Sequence, residues 1–143
     1  MNDNPSAGET AAFDPATAGW ELVERTGFGD LAGPLWRNGD NVFGFVAAQK
    51  HLNFNSVVHG GMIATLVDQA MGMTALRATG NKRHATIELS VQFIGAVRLG
   101  EFLVATCEVV RLTRAIIFMR STVTVGARTV ATASGVWKVA GEK

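Results

Sequence analysis

The stretch HGGMIATLVDQAMGMTAL, residues 59–76, constrains this chain more than any other. Placed at helical spacing of about 100° per residue, Met62, Leu66 and Met73 fall on one side, Ile63 and Ala70 beside them, and Val67 and Met71 further round. An α-helix from residue 60 to about 78 is therefore apolar around nearly its whole circumference and leaves little surface for water. The run approaches membrane-spanning length, but Gly61, Thr65, Asp68, Gln69, Gly72 and Thr74 interrupt it. A bilayer span needs about 20 predominantly apolar residues. The reading is a buried helix of a soluble protein with no membrane partner.

What buries it is legible on either side. In ATIELSVQFI, Ile87, Leu89, Val91 and Phe93 alternate with Thr86, Glu88, Ser90 and Gln92, the pattern of a half-buried strand. EFLVATCEVVRL, AIIFMRSTVTV and RTVATASGVWKV follow as three more β-rich runs with connections short enough for antiparallel neighbours. Before the helix, GPLWRNGDNVFGFVAA reads as a hairpin with turn residues at NGDN, and GWELVERTG as a short helix. The expected architecture is α+β, an antiparallel sheet wrapped around one long central helix. A sheet covers one side of a helix, so the other side calls for a second subunit.

At 143 residues and 48% apolar content the chain is sized for one domain. Residues 1–17 lack periodicity and read as a mobile N-terminal arm, leaving residues 18–143 as the domain. Lys and Arg number 13 against 12 for Asp and Glu, without the basic run that would track phosphates, which argues against a nucleic-acid partner. Cys107 is the only cysteine and no secretory signal precedes the domain, so the expected location is cytoplasmic. In its β-rich run Cys107 reads as a small buried residue rather than a nucleophile, and His51 and His84 have no partner spacing that suggests a metal.

Two features of the helix carry chemistry. Asp68 is a carboxylate in an apolar segment, costly there unless paired, hydrogen-bonded or protonated, and either a structural or a functional role accounts for it. His59-Gly60-Gly61 opens the helix with amides uncovered by side chains where the helix dipole is positive, a place for a carbonyl oxygen or simply a tight turn. Gly60 and Asp68 lie eight residues apart, about 12 Å along a helix, so one small reacting group cannot meet both from a single chain.

The spacing N-x(5)-HGG-x(7)-D, here Asn53, His59, Gly60, Gly61 and Asp68, resembles the hot-dog fold acyl-CoA thioesterases, most nearly the phenylacetyl-CoA thioesterase-like (PaaI-like) branch. The resemblance runs from about Trp36 to Trp137 and includes the strand order and the RLGE after the first strand beyond the helix. It implies protomers paired into a continuous sheet, a homodimer that often doubles into a homotetramer, and an active site between subunits. It further implies that the Gly60 amide polarises the thioester carbonyl while the partner's Asp68 acts as general base or as nucleophile. Asn53 matches a position that orients water or the carbonyl, or it satisfies its own loop. Thr86 matches one that assists the water, although strict alternation puts it on the polar face with Glu88 and Ser90. His59 is expected to fix the turn by hydrogen bonding. For the phosphates of coenzyme A, Lys82, Arg83, Arg111 and Arg114 are available near the pocket mouth, with ordinary solvated surface as the alternative.

The expected activity is hydrolysis of an acyl-CoA thioester with no metal or redox cofactor, coenzyme A being part of the substrate. Two other readings keep the fold: a hot-dog hydratase or dehydratase, whose histidine and carboxylate spacing His51 and Asp68 match poorly, and a non-catalytic acyl-CoA-binding protein. No appended DNA-binding helix pair is visible to support a regulator.

Overall fold

A computed structural model describes residues 13–141. It contains strands β1 (Glu21–Val23), β2 (Leu35–Arg37), β3 (Val42–Val46), β4 (His84–Phe93), β5 (Phe102–Leu112), β6 (Ile116–Val125) and β7 (Arg128–Val139), with helices α1 (Gly27–Ala32) and α2 (Gly60–Ala78). The strands form one antiparallel sheet in the order β1-β2-β3-β5-β6-β7-β4, wrapped around α2. This is the α+β arrangement expected from the chain's periodicities.

The sheet covers the helix because side chains alternate along its strands. Leu103, Ala105 and Cys107 of β5, Ile117, Met119, Ser121 and Val123 of β6 and Val130, Ala133 and Trp137 of β7 are all buried. Against them α2 buries Ile63, Leu66, Val67, Ala70, Met71 and Ala75, while Met62 and Met73 pack half-buried at the margins. Gly61 and Leu76 are exposed and Thr65, Asp68 and Gln69 half-buried, so one stripe of the helix lacks a lid within the chain. The helical threonines bond back to the preceding turn, Thr65 Oγ1 to the Gly61 carbonyl and Thr74 Oγ1 to that of Ala70, both at 2.8 Å, which satisfies their hydroxyls without solvent. Among the described residues no helix is long and apolar enough to cross a membrane.

Two expectations change. The short helix expected over GWELVERTG is a strand: Glu21, Leu22 and Val23 pair with Arg37, Trp36 and Leu35, and Arg37 forms an ion pair with Glu21 at 2.9 Å. Sheet pairing outweighs the local helical propensity, and α1 begins only at Gly27, whose positive φ of 57° breaks the chain direction. The other concerns strand β4. Its register against β7 slips between Thr86 and Glu88, so the alternation read from the sequence reverses there. His84 and Thr86 face α2, and beyond the bulge Leu89 and Val91 do so; Ile87 is 58% exposed instead of buried.

Most of the expected arm, residues 1–12, lies outside the described residues. Its last part turns at Pro15–Gly19, and Phe13 lies against Phe102 with ring centroids 4.6 Å apart.

Candidate active site

The β4 bulge places Thr86 over the middle of α2, where its hydroxyl donates to Asp68 Oδ1 at 2.8 Å. The second carboxylate oxygen, Oδ2, has no partner among the described residues, and Asp68 and Thr86 line a cleft of about 230 Å³. Gln69, Gly72, Met73, His84 and Trp137 line this cleft with them, and Arg25 reaches it from the segment before α1. A half-buried carboxylate held by a hydroxyl donor is an acceptor aimed at whatever enters, the geometry a base or nucleophile requires. Trp137, Gln69, His84 and Arg25 were given no place in a site from sequence, because only the fold brings the segment before α1, β4 and β7 to this side of α2.

At the other end of the helix His59 is the N-cap. Its Nδ1 accepts from the Gly61 N–H at 2.8 Å, and its carbonyl accepts from Met62 and Ile63. The Gly60 N–H has no acceptor among the described residues, so the first free amide of α2 belongs to Gly60 rather than Gly61. The Phe93 ring lies over it; a Cβ at this position would sit 3.2 Å from two ring carbons. Together with Val57, Ile63 and Ile94 these residues line a second cleft, about 320 Å³. Asn53 stands in the loop before this end. Its Oδ1 accepts from the Asn55 N–H at 2.9 Å and the Val57 N–H at 3.3 Å, so the side-chain oxygen is engaged by its own loop while the amide NH2 remains as a donor.

The topology gathers the four basic candidates at one end of the sheet. Ala140 N bonds to the Arg83 carbonyl and Val139 N to that of Ala115, which ties the start of β4, the end of β7 and the start of β6 together; β5 ends beside β6. Lys82, Arg83, Arg111 and Arg114 are all exposed there, with Lys138 beside them on β7. This is the end of β4 that carries Thr86, not the end that carries Phe93.

Two buried titratable groups lie apart from these clefts. His51 is 4% exposed, takes the Ala48 N–H on Nδ1 at 2.9 Å and contacts the Ala32 carbonyl through Nε2 at 2.6 Å; burial holds its pKa below the ordinary histidine value. Cys107 is buried with its Sγ 3.7 Å from Ser121 Oγ, and burial pushes the thiol pKa up, which suits a packing residue and not a nucleophile.

Comparison with known proteins bears on this geometry. Residues 55–132 match the family model described as the thioesterase superfamily. A Pseudomonas aeruginosa protein named as a candidate esterase is 32% identical over 113 residues, which cover 76% of this chain and 84% of that protein. A conserved protein of the same organism has a solved structure that superposes with a TM-score of 0.75 at 25% identity, over 81% of this chain and 95% of that one. A Bacillus halodurans protein solved with CoA superposes with a TM-score of 0.74 at 25% identity, over 82% of this chain and 78% of that one.

Proposed function

The chain belongs to the thioesterase superfamily, has its hot-dog fold and is a thioester hydrolase; from that premise we propose that it hydrolyses acyl-CoA to coenzyme A and a free carboxylic acid, in the manner of the PaaI-like branch. The observation that carries the site assignment is the Thr86 hydrogen bond to Asp68 at the wall of a cleft. Thr86 donates to Oδ1 and leaves Oδ2 to act. As general base, Oδ2 takes a proton from water while the Thr86 oxygen accepts the water's other hydrogen; as nucleophile, the carboxylate attacks the thioester carbon, expels CoA thiolate and forms a mixed anhydride that water opens. Both routes develop negative charge on the thioester oxygen, and the Gly60 N–H at the positive end of a helix is a donor suited to it. Asn53 retains an NH2 donor for water or the carbonyl, and His59 supports the turn that presents Gly60.

Asp68 and Gly60 lie about 12 Å apart on one helix, so the reading requires two chains. Strand β4 has ten residues and stands at the sheet edge with Ile87, Phe93 and the adjacent Ile94 exposed, which favours pairing with a second copy. Antiparallel pairing of two β4 strands about a two-fold axis sets the Thr86 end of one against the Phe93 end of the other. Asp68 of one chain then faces the Gly60 end of its partner, and the exposed basic group at the Thr86 end suits the CoA phosphates. Two such dimers would form the tetramer common in this branch.

The test is CoA-thiol release from aryl-, short- and long-chain acyl-CoAs. Wild type turns over at least one, and Asp68→Asn lowers kcat by roughly two to four orders of magnitude with thermal stability retained. Equal rates for the two proteins remove Asp68 from its role; binding of acyl-CoA without thiol release from any substrate supports the acyl-CoA-binding alternative.

A further inference from the structure

A pocket of about 470 Å³ lies between β1, α1 and β2, apart from the Asp68 cleft. Leu22, Val23, Pro34 and Leu35 line it with apolar surface, and Glu24, Asp30 and Lys50 stand among them. Its volume lies within the range of small-molecule sites and is about twice that of the Asp68 cleft.

The two spaces meet at one residue. Arg25 lines both, is half-buried, and makes no hydrogen bond or ion pair among the described residues. Gly29 of α1 is buried at the same junction: a Cβ there would come within 3.0 Å of Arg25 Nε and 3.2 Å of Gln69 Nε2, and Gln69 is itself a wall of the Asp68 cleft. A glycine lets these two long side chains lie against α1 and form the partition. An unpaired guanidinium on a flexible stem can swing aside without breaking any bond, and its methylenes can cover an apolar chain while the charged head keeps to water.

We propose that the pocket beneath α1 receives the apolar acyl group of the substrate, which passes Arg25 from the Asp68 cleft, and that Arg25 and Gln69 form its neck. This rests on the acyl-CoA reading above and adds to it the side of the helix on which the acyl group lies. The pocket's mostly apolar lining favours aliphatic or aryl acyl groups over charged ones. Each methylene that enters raises affinity about fourfold until the pocket is full.

The experiment measures two quantities over a graded series of chain lengths. One is kcat/KM for saturated acyl-CoAs; the other is calorimetric affinity for S-alkyl-CoA thioethers, which cannot be hydrolysed. Thr26→Trp adds bulk at the rim of the pocket at an exposed position whose hydroxyl makes no capping bond, and Leu22→Trp does so from a side chain that is 59% exposed. In wild type both quantities rise with length; in either variant the long-to-short ratio falls at least tenfold. Length-independent thioether binding by wild type, or the same length dependence in both variants, overturns the assignment. Length-dependent thioether binding that the variants abolish, without turnover of any acyl-CoA, upholds the pocket and condemns the hydrolase reading alone.

Discussion

The Thr86 hydroxyl decides which carboxylate oxygen of Asp68 is free to react, because it engages Oδ1 and leaves Oδ2 open. Thr86→Val keeps the shape and removes the donor. We expect it to lower kcat by roughly ten- to a hundredfold through misplacement of the carboxylate, with little change in KM, and Thr86→Ser to restore most of the rate. Steady-state kinetics of the three proteins check this; a Val variant as fast as wild type would leave the hydrogen bond a packing detail. Asp68 and the glycine-opened helix start were legible because their residue types are unusual for where they stand. The facing of Thr86 was not, since a bulge is one extra residue in a pairing with β7 and local alternation carries no trace of it. A second residue-scale prediction concerns His51, whose two ring nitrogens join the Ala48 N–H to the Ala32 carbonyl. Burial depresses its folded pKa, so the unfolded chain takes up a proton more readily once the pH falls below about 6.5. The stabilisation is complete above that value and is lost as pH falls from there through the folded pKa. Thermal unfolding between pH 8 and pH 5 should therefore show a falling Tm for wild type and a shallower fall for His51→Phe; parallel curves would assign the slope to other groups.

At the scale of elements, the Asp68 cleft depends on how β7 lays Trp137 across the sheet. Gly135 is two residues earlier on the same face, and a Cβ there would come within 2.5 Å and 2.6 Å of two indole carbons and 2.9 Å of the Glu88 carbonyl opposite, at the bulge. Gly135→Ala must therefore move the indole, the bulge or both. We expect a loss of about 1–3 kcal/mol, read as a lower denaturation midpoint with unchanged slope, and a loss of activity larger than Trp137 packing alone explains, because Thr86 moves with the bulge. A stability equal to wild type would show that the indole can shift freely. The four long strands after α2 were readable, β4 from its alternation and β5, β6 and β7 as β-rich runs, and α2 from its apolar wrap, because these elements are long enough for local pattern to dominate. Strand β1 was not: its three residues are too few for a period, and pairing with β2 fixes their conformation. The RLGE segment is a clamp whose logic also appears only in three dimensions. Glu101 accepts the Arg98 N–H at 2.8 Å and an Arg128 nitrogen at 2.9 Å, and Arg128 reaches the Ala96 carbonyl at 2.7 Å, which locks the β4–β5 connection onto β7.

On the scale of the whole molecule, a single chain leaves Asp68 on an open stripe of α2 and the Gly60 amide about two helical turns away. The proposal that each site draws on two chains makes a prediction that no arrangement within one chain shares. Gly60→Pro removes the amide hydrogen, and Asp68→Asn removes the reactive carboxylate; each homodimer should be inactive, one for lack of a carbonyl donor and the other for lack of a base. In a mixed dimer one site receives both lesions and the other receives neither. If two differently tagged chains reassort at random, roughly a quarter of all sites are intact and about that fraction of wild-type activity returns. Purified mixed dimers, selected through both tags, should recover about half. Size and subunit composition are verified by sedimentation and mass spectrometry before the assay, so that an inactive sample is not mistaken for an unmixed one. Stable mixed dimers that release no thiol would mean that every site carries a lesion, so that no site joins Gly60 of one chain to Asp68 of the other, and the reaction would then need a carbonyl donor close to Asp68 on its own chain. The cleft offers one: Arg25, unpaired and already at the wall. Failure would thus move the carbonyl-binding role from Gly60 to Arg25, a transfer that Arg25→Met tests directly by its effect on kcat.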